Sequence, residues 1–208
     1  METVRRLTEP PTPEGDQRVR LHGVSWAGYE ALLKMRGESS AVRLSYLAGE
    51  VELMAPSDEH ETDKTRLARL VEAWSEEAGI DLDGVGSWTI KKKLVERGAE
   101  PDECYIVLER HTTRPRVPDF AIEVVRSSGG IDKLEIYRLL GVREVWYWER
   151  GALGFHVLRG QRYVRAWRSS MLPSLDPALL AKFMSGGTQP EAVRGLRRAM
   201  QKPKRRSR

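Results

Sequence analysis

Cysteine is almost absent. Cys104 is the only one in 208 residues, so no disulfide can form within the chain. Its neighbours Tyr105, Ile106 and Val107 suit a buried strand rather than a reactive thiol. A reducing, cytoplasmic setting is therefore expected. Long apolar runs are missing too. No stretch approaches the roughly 20 residues that span a bilayer, and residues 1–6 lack the apolar segment of a signal peptide. Neither export nor membrane insertion is expected, and no internal repeat is visible. Even the positive charge is confined. The formal net charge is +5, but residues 201–208 carry five Lys and Arg and no acid, which leaves the preceding residues neutral. Affinity of the folded part for nucleic acid must then come from a local patch. The tail adds at most a salt-sensitive attraction to phosphates, and its simpler reading is a solvated end.

What is present is an ordinary globular composition, 40% hydrophobic and 31% charged, enough for one domain with a core. Residues 1–20 contain the stretch EPPTPEG and read as a disordered lead, residues 21–184 as a single domain, and residues 185–208 as a basic, flexible tail. Within the domain, Ser25 can cap a helix that Gly37 stops. Two strands flank Ala48 and Gly49 as a hairpin, and Pro56 ends the second. Asp58 and Glu61 suggest a capping box opening a helix with Leu67, Leu70, Val71 and Trp74 on one stripe. His60 falls on that stripe and should point toward whatever the helix packs on. Strands follow at residues 87–93, 102–108 and 119–126. A helix over 131–140, strands at 144–148, 153–158 and 162–167, and a short helix near 177–183 complete the order. The pattern predicts an α/β (α+β) protein with a mixed β-sheet flanked by helices.

Three charged residues sit where charge is costly. Glu123 interrupts the apolar run Phe120-Ala-Ile-Glu-Val-Val125, which reads as a strand covered on both faces, so it needs a cationic partner. Either a buried salt bridge or a functional site would supply one. Asp102 opens another apolar strand. Opposed side chains on adjacent strands have Cβ atoms about 5 Å apart, close enough for two carboxylates to share one metal ion. Asp119 competes for this role, but four residues along the strand of Glu123 it lies about 13 Å away. Lys133 projects onto the same helix side as Leu134, Tyr137 and Leu140 and can reach back over the sheet. Two carboxylates and a lysine suit phosphodiester hydrolysis with Mg²⁺ or Mn²⁺, the ammonium offsetting charge on the phosphorus. His60 could orient a water or contact a phosphate, or simply be a hydrogen-bonded structural histidine.

Four stretches in order resemble the Uma-type restriction endonucleases, a branch of the PD-(D/E)XK nuclease superfamily: residues 49–56 followed by His60, residues 100–105, residues 118–124, and residues 133–137 leading into 141–146. The resemblance implies a restriction-endonuclease-like core with the metal held by Asp102 and Glu123. Glu50 matches an acidic position of the family and is a candidate extra ligand, though an exposed hairpin glutamate is the plainer reading. In the wider superfamily the lysine follows the glutamate by two residues, a position held here by Val125. The family's pattern moves it to the following helix, at Lys133. A further departure is Ser127-Ser-Gly-Gly130, where Gly129 stands at the position of an aspartate found in many relatives.

The resemblance implies a Mg²⁺-dependent DNA endonuclease acting as a homodimer, with DNA as partner; no membrane association and no organic cofactor is expected. A nuclease-fold protein that binds nucleic acid or plays a structural part without turnover is the alternative. A hydrolase of some other phosphoester would use the same residues. Residues 159–168 (RGQRYVRAWR) and Lys91, Lys92 and Lys93 are candidate phosphate-contacting surfaces, or solvated strand edges guarded against aggregation.

Overall fold

The computed structural model describes residues 15–126 and 129–201. In chain order its elements are β1 (Gln17–His22), α1 (Trp26–Arg36), β2 (Arg43–Leu47), β3 (Glu50–Ala55), α2 (Asp58–Ala78), β4 (Leu82–Gly84), β5 (Ile90–Lys92), β6 (Arg97–Ala99), β7 (Glu103–Val107), β8 (Phe120–Val125), α3 (Lys133–Leu140), β9 (Glu144–Glu149), β10 (Ala152–Arg159), β11 (Arg162–Ala166), α4 (Pro177–Met184) and α5 (Gln189–Gln201). Two sheets result. A five-stranded sheet runs β1-β3-β2-β6-β5, and a six-stranded sheet runs β11-β10-β9-β8-β7-β4. The first is antiparallel throughout, while the second is mixed, with β8 and β9 parallel across the α3 connection. The sequence pointed to one mixed sheet; a second, antiparallel one stands beside it.

Local chemistry sets the boundaries. Ser25 and Ser57 accept hydrogen bonds from the amides of Gly28 and His60 and start α1 and α2. The cap of α2 is therefore Ser57, not the Asp58 and Glu61 pair, whose carboxylates line the positive end of the helix instead. Asp132 caps α3 by accepting from the Glu135 amide at 3.0 Å. The β2-β3 hairpin turns at Ala48 and Gly49, both at positive φ, as the two-residue turn requires.

Each face of the mixed sheet is covered. Phe120, Ile122 and Val124 of β8 point with Trp146 and Phe155 into a core closed by Leu67, Leu70, Val71 and Trp74 of α2. The alternate residue Ala121 packs with Cys104 and Val145 beneath Ile136, Tyr137 and Leu140 of α3, where Ile90 and Ala99 of the antiparallel sheet join them. Trp26 and Tyr29 of α1 cover Leu44, Tyr46 and Val51 on that sheet.

Both expected termini contain structure. β1 occupies part of the segment read as a disordered lead, pairing with β3 from Gln17 opposite Ala55 to His22 opposite Glu50. α5 occupies much of the segment read as a flexible tail, with Ala192 and Leu196 buried in the core around α2. Residues 1–14, Ser127 and Ser128 and most of the 201–208 charge cluster lie outside the described residues. The short β4 also went unanticipated, and the strand expected over 87–93 is confined to β5.

Candidate active site

The chain crosses from the antiparallel sheet to the mixed one between β6 and β7, through Glu100, Pro101 and Asp102. Extending by one residue the register that pairs Glu103 with Ile122 sets Asp102 directly opposite Glu123. Both are buried, Asp102 at 1% and Glu123 at 5% exposure. The alternation of β8 sends Glu123 to the same face as Ala121, under the start of α3.

Around Asp102 stand Arg43 and His60. Its Oδ2 accepts from the Val124 amide at 2.7 Å and meets His60 Nε2 at 3.0 Å. Its Oδ1 lies 2.8 Å from Arg43 Nη1. That approach is poorly angled, so among the described residues Oδ1 has no hydrogen bond. His60 is fully buried, and its Nδ1 lies 3.0 Å from Asp16 Oδ2. Asp16, His60 and Asp102 thus form a chain from the N-terminal segment to the mixed sheet. Burial alone would lift the Asp102 pKa, but His60, Arg43 and Lys133 outweigh it and hold the carboxyl at about 2. Burial likewise opposes charge on His60, yet the two flanking carboxylates raise its pKa.

Glu123 sits in a different field. Lys133 Nζ lies 3.2 and 3.3 Å from its two carboxylate oxygens and also 3.4 Å from the Glu100 carbonyl oxygen. The Tyr137 hydroxyl, one turn along α3, donates to Glu123 Oε1. Burial pushes the Glu123 pKa up, Lys133 pulls it down, and the neighbouring Asp102 charge pushes it up again; the net direction is upward. A recess of about 150 Å³ opens beside it, lined by Glu123, Lys133, Glu52, Arg18, Gly130 and Tyr147, among others.

Asp102, Glu123, Lys133 and His60 are therefore brought together. Glu50 is not: it faces Arg20 and His22 at 3.5 and 3.6 Å near the hairpin end. The acid that β3 sends into the recess is Glu52, buried and accepting from the Ile131 amide at 2.9 Å. Asp119 serves elsewhere, accepting from the Val107 amide and meeting His111 at 2.7 Å. Cys104 is buried and donates to the Gly86 carbonyl, its pKa pushed up to about 12 by burial. Sequence reasoning missed Arg43, Asp16, Tyr137 and Glu52. Only Tyr137 and Glu52 left a signal, a polar group on an inner helix stripe and a carboxylate between Val51 and Leu53.

A divalent cation suits this donor set. Two opposed buried carboxylates repel each other, and one keeps an oxygen without a hydrogen bond. Among the described residues, no three His, Cys, Asp or Glu side chains converge to hold a metal. Two carboxylates nonetheless match the way Mg²⁺ is held, since it keeps several waters and takes further oxygens from phosphate.

Comparison with known proteins agrees with this architecture. A crystal structure described as "a putative nuclease belonging to DUF820" from Anabaena variabilis superposes with a TM-score of 0.52 over 81% of this chain and 98% of that one. Its sequence identity is 12%, so the likeness speaks for the fold alone. No curated protein matches in sequence. The model of the Uma2 family, described as "Putative restriction endonuclease", matches residues 26–183. With well over half its length matched, from the start of α1 into α4, this chain belongs to the Uma2 family.

Proposed function

We propose that the protein is a divalent-metal-dependent DNA endonuclease whose active site is Asp102, Glu123 and Lys133. The observation that carries this reading is the burial of two carboxylates side by side with a lysine ammonium on one of them. Mg²⁺ or Mn²⁺ held by Asp102 and Glu123 would supply Lewis-acid polarisation of the phosphate and activation of water. The remaining work belongs to the chain. Lys133 is poised to follow negative charge from Glu123 to a phosphate as that charge develops. His60 and Arg43 keep Asp102 ionised, and Tyr137 fixes the orientation of Glu123. The recess beside Glu123 gives the phosphate a way in.

One observation favours a second reading, a nuclease-fold protein that binds nucleic acid without turnover. Both oxygens of Asp102 already face basic side chains, Arg43 and His60, as in a structural ion cluster. Incubation with supercoiled DNA in Mg²⁺, in Mn²⁺ and in EDTA separates the two. Nicking that needs the ion and falls at least about a hundredfold in Lys133→Ala, whose folding is checked by circular dichroism, supports the nuclease. Nicking undiminished in that variant would overturn the mechanism. Salt-dependent DNA binding with no nicking would establish the second reading.

A further inference from the structure

The site does not end at Glu123. The parallel register of β8 and β9 sets Tyr147 beside Glu123, and the β9-β10 register sets Gly154 beside Tyr147. β11 ends at Ala166, opposite Phe155 of β10, and Trp167 follows at a bend just past that end. In the next row on that face, His156 pairs with Arg165. The Tyr147 and His156 rings meet edge to face, with centroids 5.2 Å apart. Trp167 is 93% exposed, the largest exposure of any big hydrophobic side chain among the described residues. An exposed aromatic ring beside cationic side chains is a recurring feature of surfaces that bind single-stranded nucleic acid.

The charge around Trp167 is of that kind. Residues 159–168 carry Arg159, Arg162, Arg165 and Arg168 and no acid. Toward the site the acids that act on Tyr147 are Glu123 and Asp132, the latter the cap of α3. An exposed indole at the end of an arginine-bearing strand, whose Arg165 shares a face with His156 and Tyr147 beside the proposed cleavage centre, matches the recognition of unpaired nucleotides: bases stack on the ring and arginines track the backbone. Duplex DNA offers no base face for such a ring. We propose that Tyr147, His156, Arg165 and Trp167 form a track for an unpaired nucleic-acid strand leading to Glu123 and Lys133, with Trp167 as its stacking platform. The proposal rests on the reading of Asp102, Glu123 and Lys133 as the cleavage centre. It gives that centre a substrate with single-stranded character next to the cut.

The test is binding in EDTA, which keeps it independent of cleavage. Fluorescence anisotropy of the full chain is measured with a labelled single-stranded DNA oligonucleotide, with RNA of the same sequence and with the DNA duplex. Trp167→Ala should weaken binding of the preferred single strand by about 5- to 100-fold, the range of one lost base stack, and leave the duplex unaffected. Trp167→Phe should recover most of the loss, because phenylalanine still stacks. Arg165→Ala should weaken the single strand and flatten its salt dependence by about one ion. Trp167 is so exposed that the variants keep the wild-type thermal midpoint. Unchanged single-strand binding in Trp167→Ala, an equal loss for single strand and duplex, or no single-strand binding by the wild type would each overturn the track. Single-strand binding that depends on Trp167, with no nicking under any metal condition, would leave the track standing and sink the nuclease.

Discussion

At the scale of the residue, the two carboxylates are adjacent yet not equivalent. Asp102 is held ionised by the buried His60 and Arg43 on either side, whereas Glu123 is pushed toward its neutral form by burial and by Asp102 itself. Their amide replacements should therefore diverge. Asp102→Asn leaves His60 and Arg43 facing no charge at that position in a dry interior, and should cost about 3 to 5 kcal/mol in the metal-free protein. Glu123→Gln removes one of two repelling charges. It leaves Lys133, which is partly exposed, with the Glu100 carbonyl as acceptor, and should cost less than about 1 kcal/mol. Urea unfolding in EDTA measures both, and an equal cost would refute the asymmetry. The same physics explains which residues were legible beforehand. Asp102, Glu123 and Lys133 each break an apolar pattern, so their positions could be read from alternation and helix phase. Arg43 begins a short strand and Asp16 lies in a polar stretch, where a charged residue breaks no pattern. Glu52 and Glu50 share a face of β3 two residues apart, and only the pairing with β1 shows which one the chain directs inward.

At the scale of the element, long periodic segments were readable and short or terminal ones were not. α2 and α3 announce themselves by wide apolar stripes and by glycines at Gly79 and Gly141, both in positive-φ caps. β1 exposes most of its side chains and carries no alternation strong enough to mark it; it exists because β3 offers it an edge. α5 was hidden by composition. Its arginines look like the start of a solvated tail, yet Ala192, Val193, Leu196 and Met200 recur at helical spacing and pack onto the core around α2. Arg66 of α2 fixes the end of α4 and the loop before α5 by donating to the Phe183 and Gly186 carbonyls. α5 is therefore part of the core and not an appendage. Leu196 is fully buried, so Leu196→Ala should destabilise the protein by about 2 to 5 kcal/mol. Thermal unfolding checks this, and a cost below about 0.5 kcal/mol, usual for an exposed position, would show α5 to be peripheral.

At the scale of the whole molecule, charge and site count limit what one chain can do to a duplex. The formal excess of +5 matches the five cationic residues of 201–208, so the rest of the chain has no general pull on DNA and must engage it through local features. The arginine-bearing strand β11 is one such feature, and it lies on the far edge of the mixed sheet from β4. One pair of carboxylates with one lysine acts on one phosphodiester at a time. Within the proposed function, a single chain nicks one strand, and a double-strand break needs a second site, either from a second copy or from a second visit. Supercoiled plasmid should then pass through the nicked circle before the linear form appears. If a second copy supplies the second site, the rate of linear product should rise more steeply than the first power of protein concentration, while nicking stays first order. Linear product that appears with no nicked precursor and in first order would mean that two sites already reside in a preformed dimer, which sedimentation at the same concentrations would then detect.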